Sequence, residues 1–206
     1  MMVFVGQAIP SRNPLDVAHM STFSPSYTRT AVFLHWLIAG LIVTNLVLAW
    51  SVDYLPESWE RFTVDTHKSI GITVLGLVLM RILWRVGHPP PPTPPGHAAW
   101  ERFMATAVHL LMYAVMLVLP VTGWMHDSAW KDAATHPLKL FGVIPWPRLP
   151  WITDVAPVAR EVLHKQYHEW HELAADVLYV LFALHVAGAL KHQFRDHEAQ
   201  FRRMWW

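Results

Sequence analysis

The chain has 206 residues, of which 53% are hydrophobic and 15% charged, with a formal net charge of +1 and no cysteine. That length fits one domain, the apolar content is too high for an ordinary soluble domain, and the near-neutral charge gives no basic surface for nucleic acid. Without cysteine there are no disulfides, no thiolate-held iron–sulfur clusters and no covalent haem attachment through C-x-x-C-H.

The N-terminal segment 1–28 has prolines and charges but no apolar core leading to a small-residue cleavage site, so it reads as a short cytoplasmic segment and not as a removable signal. Four apolar stretches follow, each near the 20 residues that a membrane crossing requires. They are expected as helices at about 31–50, 67–86, 104–124 and 169–192, within a single membrane domain over 1–206. The connection between the second and third, GHPPPPTPPGH, cannot continue a helix and reads as a stiff extended crossing. The connection 125–166 is long, and its prolines and aromatics (FGVIPWPRLPW) predict a cap folded on the membrane surface, serving as a docking surface or as a lid. Trp36, Trp50, Trp84, Trp100 and Trp124 mark the ends of the apolar runs, as aromatic belts do.

Lysine and arginine positions set the orientation. Arg12, Arg29, Arg81, Arg85, Arg102, Lys191, Arg195, Arg202 and Arg203 lie near the termini and the proline connection, which are expected in the cytoplasm. Asp53, Glu57, Glu60 and Asp65 dominate the first connection, which is expected outside together with the long loop.

Ionisable groups inside spans are costly, so the histidines there are candidates for function. His171 and His185 are 14 residues apart on the fourth span, about 21 Å along the axis and roughly 40° from alignment. His35 lies at the inner end of the first span and His67 at the outer start of the second. Depth therefore pairs His35 with His185 and His67 with His171. Imidazoles on facing helices of a four-helix bundle supply the two axial ligands of a six-coordinate haem iron, and two such pairs would hold two haems b, one above the other. Ordinary hydrogen-bonded core histidines are the competing reading.

Gly71 and Gly188, four and three residues after His67 and His185, would leave room for a porphyrin on the ligand faces, although small residues also serve helix packing. Arg81, 14 residues after His67, is expected at the depth of the inner haem propionates, with Arg29 as a second candidate and positive-inside snorkelling as the alternative. His109 has no depth-matched partner and is a candidate for a propionate or quinone contact. His192 is a weaker ligand candidate at the inner boundary. A reading of a different class takes His164, His168 and His171, at spacings of four and three on one helical face, as a zinc or copper site of a membrane metalloenzyme. No glycine loop for a nucleotide stands out.

Over nearly the whole chain from Tyr27, the sequence resembles the prokaryotic cytochrome b561 family. The likeness rests on YTRTAVFLHWL, THKSIGITVLGLVLMRILWR with the proline stretch after it, LPVTGW, WHELAADVLYVLFALHVAGALKHQFRD and FRRMW. The resemblance implies an all-α integral membrane protein of the bacterial cytoplasmic (inner) membrane, a four-helix bundle with two non-covalent haems b. Its ligand positions match His35, His67, His171 and His185. It also implies single-electron transfer across or within the membrane, commonly with the quinone pool, ubiquinone being a candidate substrate and a periplasmic protein a candidate donor or acceptor. Similar proteins include superoxide oxidases, which pass electrons from superoxide to ubiquinone, and haem b anchors of hydrogenases and formate dehydrogenases. A superoxide site would need a positive funnel, and here carboxylates sit near the outer Lys68, Lys131, Lys139, Arg148, Arg160 and Lys165.

Overall fold

A computed structural model describes residues 26–92, 98–196 and 200–205. Most of the predicted N-terminal segment and residues 93–97 of the proline crossing lie outside the described residues. Four long helices dominate: α1 (Arg29–Ser51), α2 (Glu57–Gly87), α3 (Ala99–Ser128) and α5 (Pro157–Leu190). Between α3 and α5 lie a two-stranded antiparallel hairpin, β1 (Lys139–Leu140) and β2 (Ile144–Pro145), and a single turn of helix, α4 (Pro150–Thr153). A π turn at Lys191–Arg195 and the short α6 (Gln200–Arg203) close the described chain.

All four long helices are long and apolar enough to cross a membrane, and only 17% of each apolar window is buried inside the protein. Large side chains such as Val47, Leu83, Leu110 and Val180 are exposed, which in a bundle this apolar is a surface for lipid. A bundle core of Leu34, Ile38, Ile42, Ile70, Val74, Val78, Val115, Ala174, Leu178 and Leu181 fills the middle.

Two helices extend well beyond their apolar stretches. α2 begins ten residues before the predicted start at 67 and α5 twelve before 169. Hydropathy marks the part that lipid can accept, whereas helix initiation follows local signals. α2 starts just after Pro56 with Glu57 and Glu60 in its first turn and has Arg85 in its last, charges that suit the helix dipole. Pro157 opens α5 at a position where its missing N–H costs nothing. At about 1.5 Å per residue α2 is about 46 Å long, against a hydrocarbon core of about 30 Å.

The hairpin segment folds over one end of the bundle, the cap end; the described chain termini lie at the other, the termini end. Asp127 is nearly buried and anchors the cap: its carboxylate accepts from Lys68 at 2.8 Å and from Arg148 at 2.8 Å, and Arg148 also donates to the carbonyls of Ala133 and His136. Ser128 Oγ accepts the Leu149 N–H. Phe141 and Gly142 make the hairpin turn with φ of 51° and 73°. The left-handed conformation costs a non-glycine residue about 1–2 kcal/mol, and at Phe141 a bond from its N–H to Ser69 Oγ at 2.8 Å helps to hold it. At the termini end, Arg203 donates to the Pro92 carbonyl, Trp36 to the Met204 carbonyl, and Lys191 bridges Glu101 and Asp196. The Lys191 ammonium beside Asp196 holds that carboxyl below the usual carboxylate range.

Candidate functional site

Close backbone packing joins α1 to α2, α2 to α3, and α3 to α5. The pairs α1 with α5 and α2 with α5 are not among the closely packed ones, and across these wider seams the four predicted histidines face each other. His35 and His185 have ring centroids 6.2 Å apart at an interplanar angle of 68°; His67 and His171 are also 6.2 Å apart, at 79°. Van der Waals contact alone would not require the same spacing twice. Two metal–imidazole bonds of about 2.0 Å on opposite sides of one ion bring the ring centres to about 6.4 Å apart, once the roughly 1.2 Å from each nitrogen to its ring centre is counted.

The cap-end pair has a further feature of metal ligands, an outer hydrogen bond that fixes which nitrogen stays free. His67 Nδ1–H donates to the Asn45 carbonyl at 3.2 Å and His171 Nδ1–H to the Leu119 carbonyl at 3.0 Å. A carbonyl oxygen only accepts, so each Nε2 is left with a lone pair. Thr122 Oγ also approaches His171 Nδ1, at 3.3 Å. A cavity of ≈ 1090 Å³ holds both rings and reaches the cap end. Asn45 Oδ1 in its wall is buried without a hydrogen-bond partner among the described residues. The donor set, the spacing, the wide seams and the cavity fit a planar porphyrin held between imidazoles.

Of the other predicted residues, Arg81 is placed at the termini-end pair as expected from its depth. It is close to His35, His109 and His185, and its Nε donates to Tyr113 Oη at 3.0 Å. Arg29 is exposed at the first residue of α1. An added Cβ at Gly188 would meet open space, and at Gly71 it would only touch Asn45 Nδ2 at 3.8 Å. The tight glycine is one that the sequence reading missed. A Cβ on Gly123 would lie 3.0 Å from His171 Cε1 and 3.2 Å from its Nδ1. The pattern LPVTGW carried the signal, a proline and a small residue within an apolar span.

His109 does not stand alone, contrary to the expectation from depth: its ring is 5.2 Å from that of His185, and its Nδ1–H donates to the Ala105 carbonyl. Depth counting treats α3 as straight and evenly set against α5, and a shift of about one turn along either helix brings the two rings level. His192 turns away to Asp196. The three-histidine metal reading fails on geometry. Among the described residues no group of three His, Cys, Asp or Glu side chains could hold a metal ion. His164 turns to His126, His168 to Glu172 and His171 to Leu119, because each of the three positions on α5 has a different neighbour to satisfy it.

The family model for prokaryotic cytochrome b561 matches residues 26–206. The chain belongs to the prokaryotic cytochrome b561 family. Relatives include cytochrome b561 homolog 2 of Escherichia coli, 32% identical over 82% of this chain and 86% of its own length. The probable superoxide oxidase CybB of Yersinia pestis is 27% identical over 82% of this chain and 89% of its own length. Cytochrome b562 of Cereibacter sphaeroides is 28% identical over 84% and 90%. This cytochrome is thus a multi-pass bacterial membrane protein of the haem b class, built for electron transfer.

Proposed function

We propose that this cytochrome holds two haems b, one between His35 and His185 and one between His67 and His171, and moves single electrons between the two faces of the membrane. The observation that carries the reading is the pair of matched 6.2 Å imidazole spacings at opposite ends of the bundle. Bound haem supplies one-electron carriage at a tuned potential. The chain's own residues hold that group and tune it: Asn45 and Leu119 carbonyls orient the cap-end imidazoles, and Arg81 offers positive charge for a propionate at the termini end.

The cap end faces outward and both termini face the cytoplasm, a reading supported by the basic residues gathered at the termini end. Exchange is with the quinone pool, ubiquinone being the candidate, and the cap is a lid over the cavity, supported by Trp130 and Leu138 in the cavity wall. Superoxide is the second substrate reading, favoured by the name of the Yersinia relative. Against it, the carboxylates Asp53, Glu57, Glu60, Asp127 and Glu172 outnumber the cations Arg61 and Lys68 in the cavity wall, which leaves little field to gather an anion.

A reduced-minus-oxidised spectrum of the detergent-purified protein with a pyridine haemochrome count tests the reading. Two low-spin haems b per chain are expected. A colourless protein from haem-replete cells refutes it.

A further inference from the structure

Seven residues before His171 on α5, about 10 Å further toward the cap by helical rise, His164 meets His126 of α3. The two rings stack with centroids 4.0 Å apart and Nε2 atoms at 3.1 Å. His164 Nδ1 lies 3.2 Å from the backbone oxygen of His126. That oxygen can only accept, so the proton is on His164 Nδ1, and in the neutral ring His164 Nε2 is an acceptor. The short contact between the two Nε2 atoms then puts a proton on His126 Nε2. Nδ1 of His126 is left with a lone pair and no partner among the described residues.

Neither histidine belongs to the two facing pairs, yet both line the cavity that holds His67 and His171. Beyond the two ligand rings, toward the cap, its wall includes Val52, Trp124, Trp130 and Leu138 beside the charged Glu57, Glu60 and Arg61. A mainly apolar cavity with a few placed polar groups is the usual form of a small-molecule site. An acceptor nitrogen at the head of such a cavity, within a membrane bundle, suits a lipophilic ring that carries a hydroxyl group.

We propose that His126, with its tautomer set by His164, accepts a hydrogen bond from the hydroxyl of a hydroquinone headgroup bound at the cap end of this cavity. The site rests on the quinone exchange proposed above and gives it a location and a recognising atom. His168, whose ring lies 5.2 Å from that of His126, is engaged with Glu172. Asp127, the next residue in the chain, is engaged with Lys68 and Arg148. Within this cluster His126 Nδ1 is therefore the acceptor that remains, while Asn45 Oδ1, the unpartnered acceptor named above, lies beside His67.

The test is equilibrium binding of 2-heptyl-4-hydroxyquinoline N-oxide, a fluorescent hydroquinone mimic, to the haem-loaded protein, followed by quenching. The wild type should bind saturably. His126→Leu, which removes the acceptor, and His164→Phe, which frees the His126 tautomer, should each weaken binding about tenfold or more, the scale of one buried hydrogen bond. His164→Gln, whose amide oxygen still accepts the His126 Nε2–H, should restore it. Haem content should stay at the wild-type value in all three. Equal binding by wild type and His126→Leu overturns the proposal, and so does equal weakening by all three variants, which is what a merely structural clamp predicts. Decylubiquinol oxidation by the wild type is the parallel arm. If it proceeds while the mimic shows no His126-dependent binding, this site is wrong and quinone exchange stands; if neither occurs, quinone exchange itself is wrong.

Discussion

Replacing Gly123 by alanine sets two effects of known sign against each other. In a helix interior alanine is better than glycine by about 0.8–1 kcal/mol, so if nothing stood nearby the variant would gain stability, about 2–4 °C in melting temperature for a chain of this size. The new Cβ, however, would lie 3.0 Å from His171 Cε1 and 3.2 Å from Nδ1, closer than ordinary contact. His171 must then give by a few tenths of an ångström, and its Nδ1–H bond to the Leu119 carbonyl, 3.0 Å long, moves with it. Losing the outer hydrogen bond of a metal-bound histidine typically lowers metal affinity 10–100-fold, which outweighs the helix gain. The expected result is faster loss of one haem, that of the cap end, when the purified protein is challenged with a haem-scavenging protein, while the second haem is retained. Gly123→Val should be worse, since its extra methyl groups deepen the overlap. Full retention of both haems in Gly123→Ala together with a higher melting temperature would refute the close contact between α3 and the His171 ring.

His67→Ala and His171→Ala should each remove the same haem and leave the other, read as one haem b per chain in a pyridine haemochrome assay; retention of both in either variant would break the proposed pairing. His109→Ala should keep both haems, since His35 and His185 supply the proposed pair at that end, but should shift the midpoint potential of the termini-end haem because the ring lies 5.2 Å from His185. Asp127→Ala leaves Lys68 and Arg148 without their shared anion. Breaking a buried pair costs about 3–5 kcal/mol, and the partial exposure of Lys68 reduces this to about 2–3 kcal/mol here. Hydrogen exchange in residues 129–156 should accelerate roughly 30- to 150-fold, a local opening that leaves α1 to α3 protected; unchanged exchange would show that the cap is held by other contacts.

The four helices and the four facing histidines were legible in the sequence because apolar length fixes depth, and depth together with helical face sets His35 opposite His185 and His67 opposite His171. What depth does not give is rotation and longitudinal offset between helices. That is why His109 looked solitary although its ring reaches His185, and why Gly123 went unnoticed while Gly71 and Gly188, chosen by counting from a ligand on the same helix, meet little or nothing. The carbonyls of Asn45 and Leu119 were beyond reach for another reason: every residue has a carbonyl, and only the packed bundle shows which one a ring nitrogen meets. His126 with His164 depends on the approach of α3 to α5 beside a long connection, a contact between residues 38 apart that no local pattern encodes.

Both facing pairs take one member from α5, His171 at one end and His185 at the other. During synthesis α1, α2 and α3 leave the ribosome first, carrying only half of each pair. A nascent chain stopped in the cap would thus present single imidazoles at two depths. If the two pairs are the haem seats proposed above, arrival of α5 completes both together, and cofactor loading then reports that α5 has joined the bundle.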